Sequence, residues 1–255
     1  MLEWRSFYKK MDYSTPIPKD YWKPCEHQGT LVQDSFGGKN LVAYLPHGYS
    51  KEKEYPIFYF KMGTNNTAMQ FWSYLPYTSH FEYVIDNMIE RGEICPCVIV
   101  SIDGNSAGKS DWLPMNAYAL ICYVEGKVRT YAKGDATKII ESAPFRAVGG
   151  WSLGAIEVRN ILVNDYGNDF WKFFGVYDIQ SGYNSKKMSI ISDIPFVGCA
   201  AGSNDDPNCV RFTKDCEKYF KGTKNVAQIV RGYSHAIQFQ VAYFYNAINE
   251  FVGAK

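Results

Sequence analysis

The residues of this chain best suited to chemistry begin with a serine. Ser152 sits in the pattern G-x-S-x-G, formed by Gly150, Ser152 and Gly154. A serine aimed at a substrate from a sharp strand-to-helix turn needs small neighbours two residues either side, because strand and helix otherwise collide. Such a hydroxyl attacks a carbonyl only if a base takes its proton and an acid orients that base. Of the four histidines, at 27, 47, 80 and 235, only His235 follows Ser152, and the order serine, acid, histidine is the one this turn ordinarily carries. The acid belongs just past the strand-like run 196–201, in Gly202-Ser203-Asn204-Asp205-Asp206-Pro207. Asp205 is the first choice. Asp206 is close behind, or else caps the helix that starts near Pro207, and Asp178 is third. The developing oxyanion requires two backbone N–H groups, one expected from Leu153 and the other from the loop after Phe60, around Gly63 and Thr64.

These groups need elements to position them. Phe145, Ala147 and Val148 read as a short buried strand entering the serine turn, and 153–162 reads as the helix leaving it. The run 57–60 is continuously apolar, 98–102 reads as the next buried strand, and 174–179, 196–201 and 227–230 are strand-like. Residues 30–33 and 40–45 read as an antiparallel pair turning at Gly37-Gly38. Helical spacing marks Phe81, Val84, Ile85, Met88 and Ile89, with Gly92 as the stop, and again Ile237, Val241, Phe244, Ile248 and Phe251. Alternating strands and helices predict an α/β fold with a mostly parallel sheet covered on both faces. The polar, proline-punctuated stretch 1–28 reads as an extended arm, and 29–255 as a single domain. Residues 118–131 read as a β-hairpin turning at Glu125-Gly126, either an insertion over the pocket or an edge decoration.

Bulk properties narrow the class. The 255 residues are 46% hydrophobic and 16% aromatic with a net charge of +1. That is enough for a sizeable core, and it argues against nucleic acid as a main partner, since phosphate binding wants a basic stripe. No apolar run reaches the length of a membrane span. The N-terminus carries no signal-peptide core, leaving a cytosolic protein or a mature secreted one without its leader. Seven scattered cysteines define no disulfide framework, and Cys95-Pro96-Cys97 lacks partners for a metal site. Cys209 and Cys216 either pair or lie two turns apart on one helix face. Asp103–Ser110 nearly spells a phosphate-binding loop, but Asp103 replaces its first glycine and 111–114 makes a poor helix to receive a phosphate. Asn65-Asn66-Thr67 is a glycosylation sequon beside the oxyanion loop, where a glycan would obstruct the site, so it is expected unmodified.

Four motifs together resemble a known family. Asn40-Leu41-Val42-Ala43-Tyr44-Leu45-Pro46-His47-Gly48-Tyr49 followed by Tyr55-Pro56 is similar to the "VYLPxGY…YP" opening of esterase D-like α/β-hydrolases, carbohydrate esterase family one. Arg146 to Gly154 resembles its "RAIaGxSMG" elbow, Gly202-Ser203-Asn204-Asp205 its "GTND" turn, and Gly232-Tyr233-Ser234-His235 its "GxH". The likeness runs in order over residues 25 to 252 and is greatest to feruloyl esterases of plant-wall-degrading anaerobes. It departs where the family's "HGG" becomes Met62-Gly63-Thr64, and over 106–145. The resemblance implies an α/β-hydrolase fold and a cofactor-free serine carboxylesterase, with Ser152, His235 and Asp205 as triad. It also implies a secreted enzyme acting on feruloylated arabinoxylan or oligosaccharide. Trp72, Trp151, Tyr118 and Tyr123 are the aromatic candidates for holding that substrate. An acetylxylan or other short-acyl esterase, and a non-catalytic carbohydrate-binding relative, stay open; oligomeric state is not addressed by the sequence.

Overall fold

The apolar runs form the middle of one sheet. The computed structural model describes residues 11–74, 79–128, 138–163, 168–179, 196–219 and 224–253. Its strands are β1 (Thr30–Phe36), β2 (Lys39–Leu45), β3 (Ile57–Lys61), β4 (Val98–Ile102), β5 (Arg146–Trp151), β6 (Phe173–Tyr177), β7 (Phe196–Gly202) and β8 (Lys224–Val230). They pair in the order β1-β2-β4-β3-β5-β6-β7-β8. Only β2 runs against its neighbours; every pair from β4 to β8 is parallel. Strands β3 to β6 are buried at every position, which is why their sequences lack polar alternation. The β1–β2 turn uses Gly37 (φ 55°) and Gly38 (φ 76°), the left-handed pair that a two-residue hairpin requires.

Helices α1 (Met69–Trp72), α2 (Phe81–Glu90), α3 (Trp112–Lys127), α4 (Leu153–Val163), α5 (Pro207–Tyr219) and α6 (Ile237–Val252) cover the sheet. Side chains alternate along β3: Phe58 and Phe60 join a core with α1, α2 and α6, while Ile57 and Tyr59 join a second core with α3, α4 and α5. Much of the aromatic content goes into the first core. The Phe58 ring lies 4.7 Å from Phe244 and 5.7 Å from both Phe173 and Phe251. Pairs of this kind add about 0.5–1.5 kcal/mol each beyond area burial. Within the arm, Met11, Tyr13 and Tyr21 are buried. The Tyr13 N–H donates to Gln228 Oε1 at 2.7 Å and Asn246 Nδ2 donates to the Thr15 carbonyl at 3.0 Å, so 11–15 are tied to β8 and α6. Among the described residues no helix is long and apolar enough to cross a membrane.

The hairpin expected at 118–131 is not one. Residues 112–127 are the helix α3, and 129–131 lie outside the described residues. The aromatic and β-branched run invites a strand reading, but Leu113, Ala117, Leu120, Ile121 and Val124 are the buried positions, a helical period. Tertiary contacts decide the matter. Glu125, expected in the turn, is instead buried and accepts from Arg146 Nε at 2.6 Å and Nη2 at 3.0 Å. The stretch expected to make a poor helix is the start of α3, with Pro114 in the first turn, where its missing N–H costs nothing. Cys209 and Cys216 lie two turns apart on the buried face of α5, and all seven thiols are free.

Candidate active site

The serine turn is built by crowding. A Cβ on Gly150 would lie 2.4 Å from the backbone of Gly154, and one on Gly154 would lie 2.1 Å from the Lys61 carbonyl. With both glycines in place, β5 passes into α4 through a single residue, Ser152, held at φ 57°. A non-glycine residue in that region is strained, and such strain concentrates at functional sites. The Ser152 N–H is anchored to the Tyr177 carbonyl at 3.0 Å, and the Ile156 N–H bonds back to the Ser152 carbonyl at 3.2 Å.

His235 reaches the serine from the loop between β8 and α6. Its Nε2 lies 2.9 Å from Ser152 Oγ, and its Nδ1 lies 3.1 Å from Asp205 Oδ1. With the proton on Nδ1 donated to Asp205, Nε2 is left as acceptor for the serine hydroxyl. Asp205 also accepts the Asp206 N–H at 2.6 Å. Burial pushes the Asp205 carboxyl up, but the hydrogen bond from His235 outweighs it and, with the Asp206 N–H, holds the carboxyl below the ordinary range. Asp206 takes its alternative role, accepting the Asn208 N–H at 2.7 Å at the start of α5. The Trp151 ring stacks on the His235 ring at a centroid distance of 4.8 Å, and its Nε1 donates to Asp178 Oδ2 at 3.0 Å.

Gly63 brings a second backbone segment to the serine: a Cβ there would lie 3.1 Å from Ser152 Cβ. In the same loop the Met62, Asn65 and Asn66 N–H groups bond to the carbonyls of Ile102, Asn105 and Gly63. Among the described residues the Thr64 N–H has no protein acceptor. Leu153 opens α4, where the first N–H groups have no intrahelical partner. Met62, standing where the resemblance expects a histidine, is fully buried in the core. Its backbone lies against the elbow: a Cβ on Gly154 would lie 2.7 Å from the Met62 carbonyl.

Three of the four aromatic candidates lie elsewhere. Trp72 is a core residue, 0% exposed, stacked on Tyr44 and donating from Nε1 to Ser101 Oγ at 2.9 Å. Tyr123 donates to Asp34 Oδ1 at 3.0 Å and packs on Phe36 of β1, four strand positions from β5, or about 19 Å at ordinary strand spacing. Tyr118 is exposed and packs near Phe170, whose carbonyl accepts from Arg146 at the entry of β5, the end of the strand opposite Ser152. Trp72 is closed into the core, and Tyr118 and Tyr123 stand on the helix α3 rather than on a hairpin over the pocket. Trp151 is in the site, but as a wall against His235.

The loop resembling a phosphate site is filled by the chain itself. Lys39 Nζ donates to the Gly104 carbonyl at 2.8 Å, and Lys61 Nζ donates to the Asp103 carbonyl. At the start of α3 the Leu113 N–H donates to Glu157 Oε2 at 2.6 Å, occupying the donor an anion would use. Burial pulls the Lys61 ammonium down to about 8, partly offset by Glu157 at 3.8 Å. Among the described residues one group of metal-ligand types converges, Asp205, Cys209 and His235, with ligand atoms within 4.8 Å. Asp205 and the Nδ1 of His235 already bond to each other, and burial pushes the Cys209 thiol upward, keeping it protonated and a poor ligand.

No protein-family model matches the chain. It is 29% identical over 188 residues to the endo-1,4-beta-xylanase Y of Acetivibrio thermocellus, covering 70% of this chain. The chain spans only 17% of that protein's length. Among solved structures it resembles a serine-to-alanine mutant of the feruloyl esterase module from Clostridium thermocellum complexed with sinapinate. The TM-score there is 0.79, with 22% identity over 93% of each chain. A ferulic acid esterase from the anaerobic fungus Anaeromyces mucronatus gives a TM-score of 0.63 at 16% identity, over 94% of this chain and 97% of that one. Strand order, elbow and these likenesses make the fold an α/β-hydrolase fold.

Proposed function

We propose that this chain is a serine carboxylesterase whose nucleophile is Ser152. The observation that carries the proposal is the unbroken relay from Ser152 Oγ through His235 to Asp205, at 2.9 and 3.1 Å. His235 takes the hydroxyl proton as Oγ bonds to the ester carbonyl carbon. The carbonyl oxygen becomes an oxyanion held by the Leu153 and Thr64 N–H groups. His235 then returns the proton to the leaving alcohol as the ester C–O bond breaks, leaving an acyl-serine. Water, deprotonated by the same imidazole, releases the acid and restores the serine. Asp205 keeps the imidazole in the required tautomer throughout.

The substrate we infer is a hydroxycinnamoyl ester on plant-wall polysaccharide. Support comes from the likeness to a feruloyl esterase module complexed with sinapinate and to a ferulic acid esterase, and from a partial likeness to a xylanase. A polymer-linked ester meets the enzyme outside the cell, so export is part of the proposal. The test compares methyl ferulate with nitrophenyl acetate, using wild type and Ser152→Ala. Turnover of ferulate that falls about a thousandfold or more in the variant is the expected result. Hydrolysis of the acetate alone would move the substrate to short acyl groups. No turnover of either ester would overturn the catalytic reading.

A further inference from the structure

The loop that nearly spells a phosphate site, 103–110, bonds to both suppliers of the oxyanion donors. One donor, Leu153, opens α4, and the other, Thr64, belongs to the loop after β3. The near end of that loop is fixed to the serine turn by contact, since a Cβ on Gly154 would meet the Lys61 and Met62 carbonyls at 2.1 and 2.7 Å. Beyond Thr64 the chain is held from the other side. Asn65, at the left-handed φ of 57°, donates its N–H to the Asn105 carbonyl at 3.0 Å. The Gly104 N–H donates to the Asn66 carbonyl at 2.8 Å. Gly104 is pressed on the loop as well: a Cβ there would lie 1.7 Å from the Gly63 carbonyl oxygen.

Asn105 also reaches α4. Its side chain is buried, and its Nδ2 donates to Glu157 Oε1 at 2.6 Å and to the Lys109 carbonyl at 3.0 Å. Glu157 is fully buried about one helical turn after Leu153, and its Oε2 accepts the Leu113 N–H at 2.6 Å. Lys61 Nζ closes the group, 3.4 Å from Asn105 Oδ1 and 3.8 Å from Glu157 Oε1. A buried polar cluster with its bonds made holds its members in one arrangement, because displacement leaves a group unpaired away from water. We infer that Asn105 is a positioning residue for the oxyanion hole. Its carbonyl holds Asn65 while its amide holds Glu157, and together these bonds set the distance between the Thr64 and Leu153 N–H groups. Glu157 is the anchor on the α4 side.

This role rests on the esterase reading above, and the wild-type assay separates the two. With an active wild type, Asn105→Ala should lower kcat about tenfold or more on both methyl ferulate and nitrophenyl acetate. KM should stay within about twofold, because a misplaced oxyanion donor weakens the transition state alone. Phenylboronic acid gives a second readout. Its boron takes the Ser152 Oγ lone pair as the serine proton passes to His235, forming a tetrahedral anion with an oxygen at the oxyanion position. Its inhibition constant should rise by about the factor by which kcat falls. Asn105→Ser, one bond shorter but still polar, should give the same result if the alanine variant fails to fold. Glu157→Ala should lose about what Asn105→Ala loses, and Glu157→Gln, which still offers Asn105 an oxygen, should recover most of it. Combining Asn105→Ala with Glu157→Ala should cost no more than either alone, since both remove one link. A merely structural role would lower Tm while leaving kcat and the boronate constant within about twofold, and that result would overturn the inference. Losses that multiply in the double variant would overturn it too. A wild type that turns over neither ester would remove the esterase reading, and the positioning role with it.

Discussion

Gly63→Ala probes the site through a single methyl group. The new Cβ would lie 2.7 Å from two carbons of the Trp151 indole and 3.1 Å from Ser152 Cβ. Ordinary contact begins near 3.4 Å, so neighbouring atoms must separate by about 0.7 Å. The indole has nowhere to turn, because Asp178 holds its Nε1 and His235 covers a ring face. Strain therefore reaches either the imidazole or the Gly63–Thr64 backbone, displacing the base or an oxyanion donor. A misplacement approaching 1 Å costs up to about a hundredfold in rate, so kcat should fall about 10- to 100-fold. Overpacking of this sort costs about 1–3 kcal/mol, which leaves the protein folded in a thermal melt. The assay is kcat and KM on methyl ferulate and on nitrophenyl acetate, read beside Tm. Both esters should lose the same factor, since the displaced groups act on the carbonyl common to both. A kcat within about twofold of wild type, or a KM effect confined to ferulate, would refute this chain of reasoning.

Three other outcomes are expected. Gly126→Ala should stabilise by about 0.5–1 kcal/mol with unchanged kcat, because residue 126 is helical and its Cβ meets nothing within 4 Å; destabilisation in urea melts would instead favour a turn there. Asp205→Asn should lower kcat by about a thousandfold or more through loss of the imidazole tautomer, whereas Asp206→Ala should cost about 1 kcal/mol of stability as a lost cap and little activity; equal kinetic losses would reassign the acid. The third concerns pH. A carboxyl raised above its ordinary 3.8 in the folded protein lends stability that is fully present below that value and is lost as pH rises from there to the raised folded value. Asp178→Asn removes that dependence, so the variant should gain on wild type by up to about 1.4 kcal/mol per pH unit as pH rises from about 4 toward the raised folded value. A constant difference across that window in urea titrations would show that Asp178 ionises alike in both states.

The sequence by itself determined what depends on local sterics and chain order. G-x-S-x-G marks a turn because glycine alone fits where the backbones of residues 150 and 154 meet. Strands β3, β4 and β6 were legible as largely apolar runs, and β5 as a short buried strand, because both faces are covered. His235 was legible because it alone among the histidines follows the serine, and Asp205 because it follows a strand end. Only the tertiary structure decided the rest. The segment 118–127 suits a strand by composition, and its helix is settled by the face it buries and by the distant Arg146 that holds Glu125. Trp72 reads as a ligand platform in isolation, yet Tyr44 and Ser101 close it into the core. Asp178 carries no motif. Its surroundings come from Trp151, Gly202 and Tyr243, donors that β5, β7 and α6 bring to one carboxyl. Pairings this far apart in sequence have no local signature, because the energies that select them exist only once the sheet has closed around them.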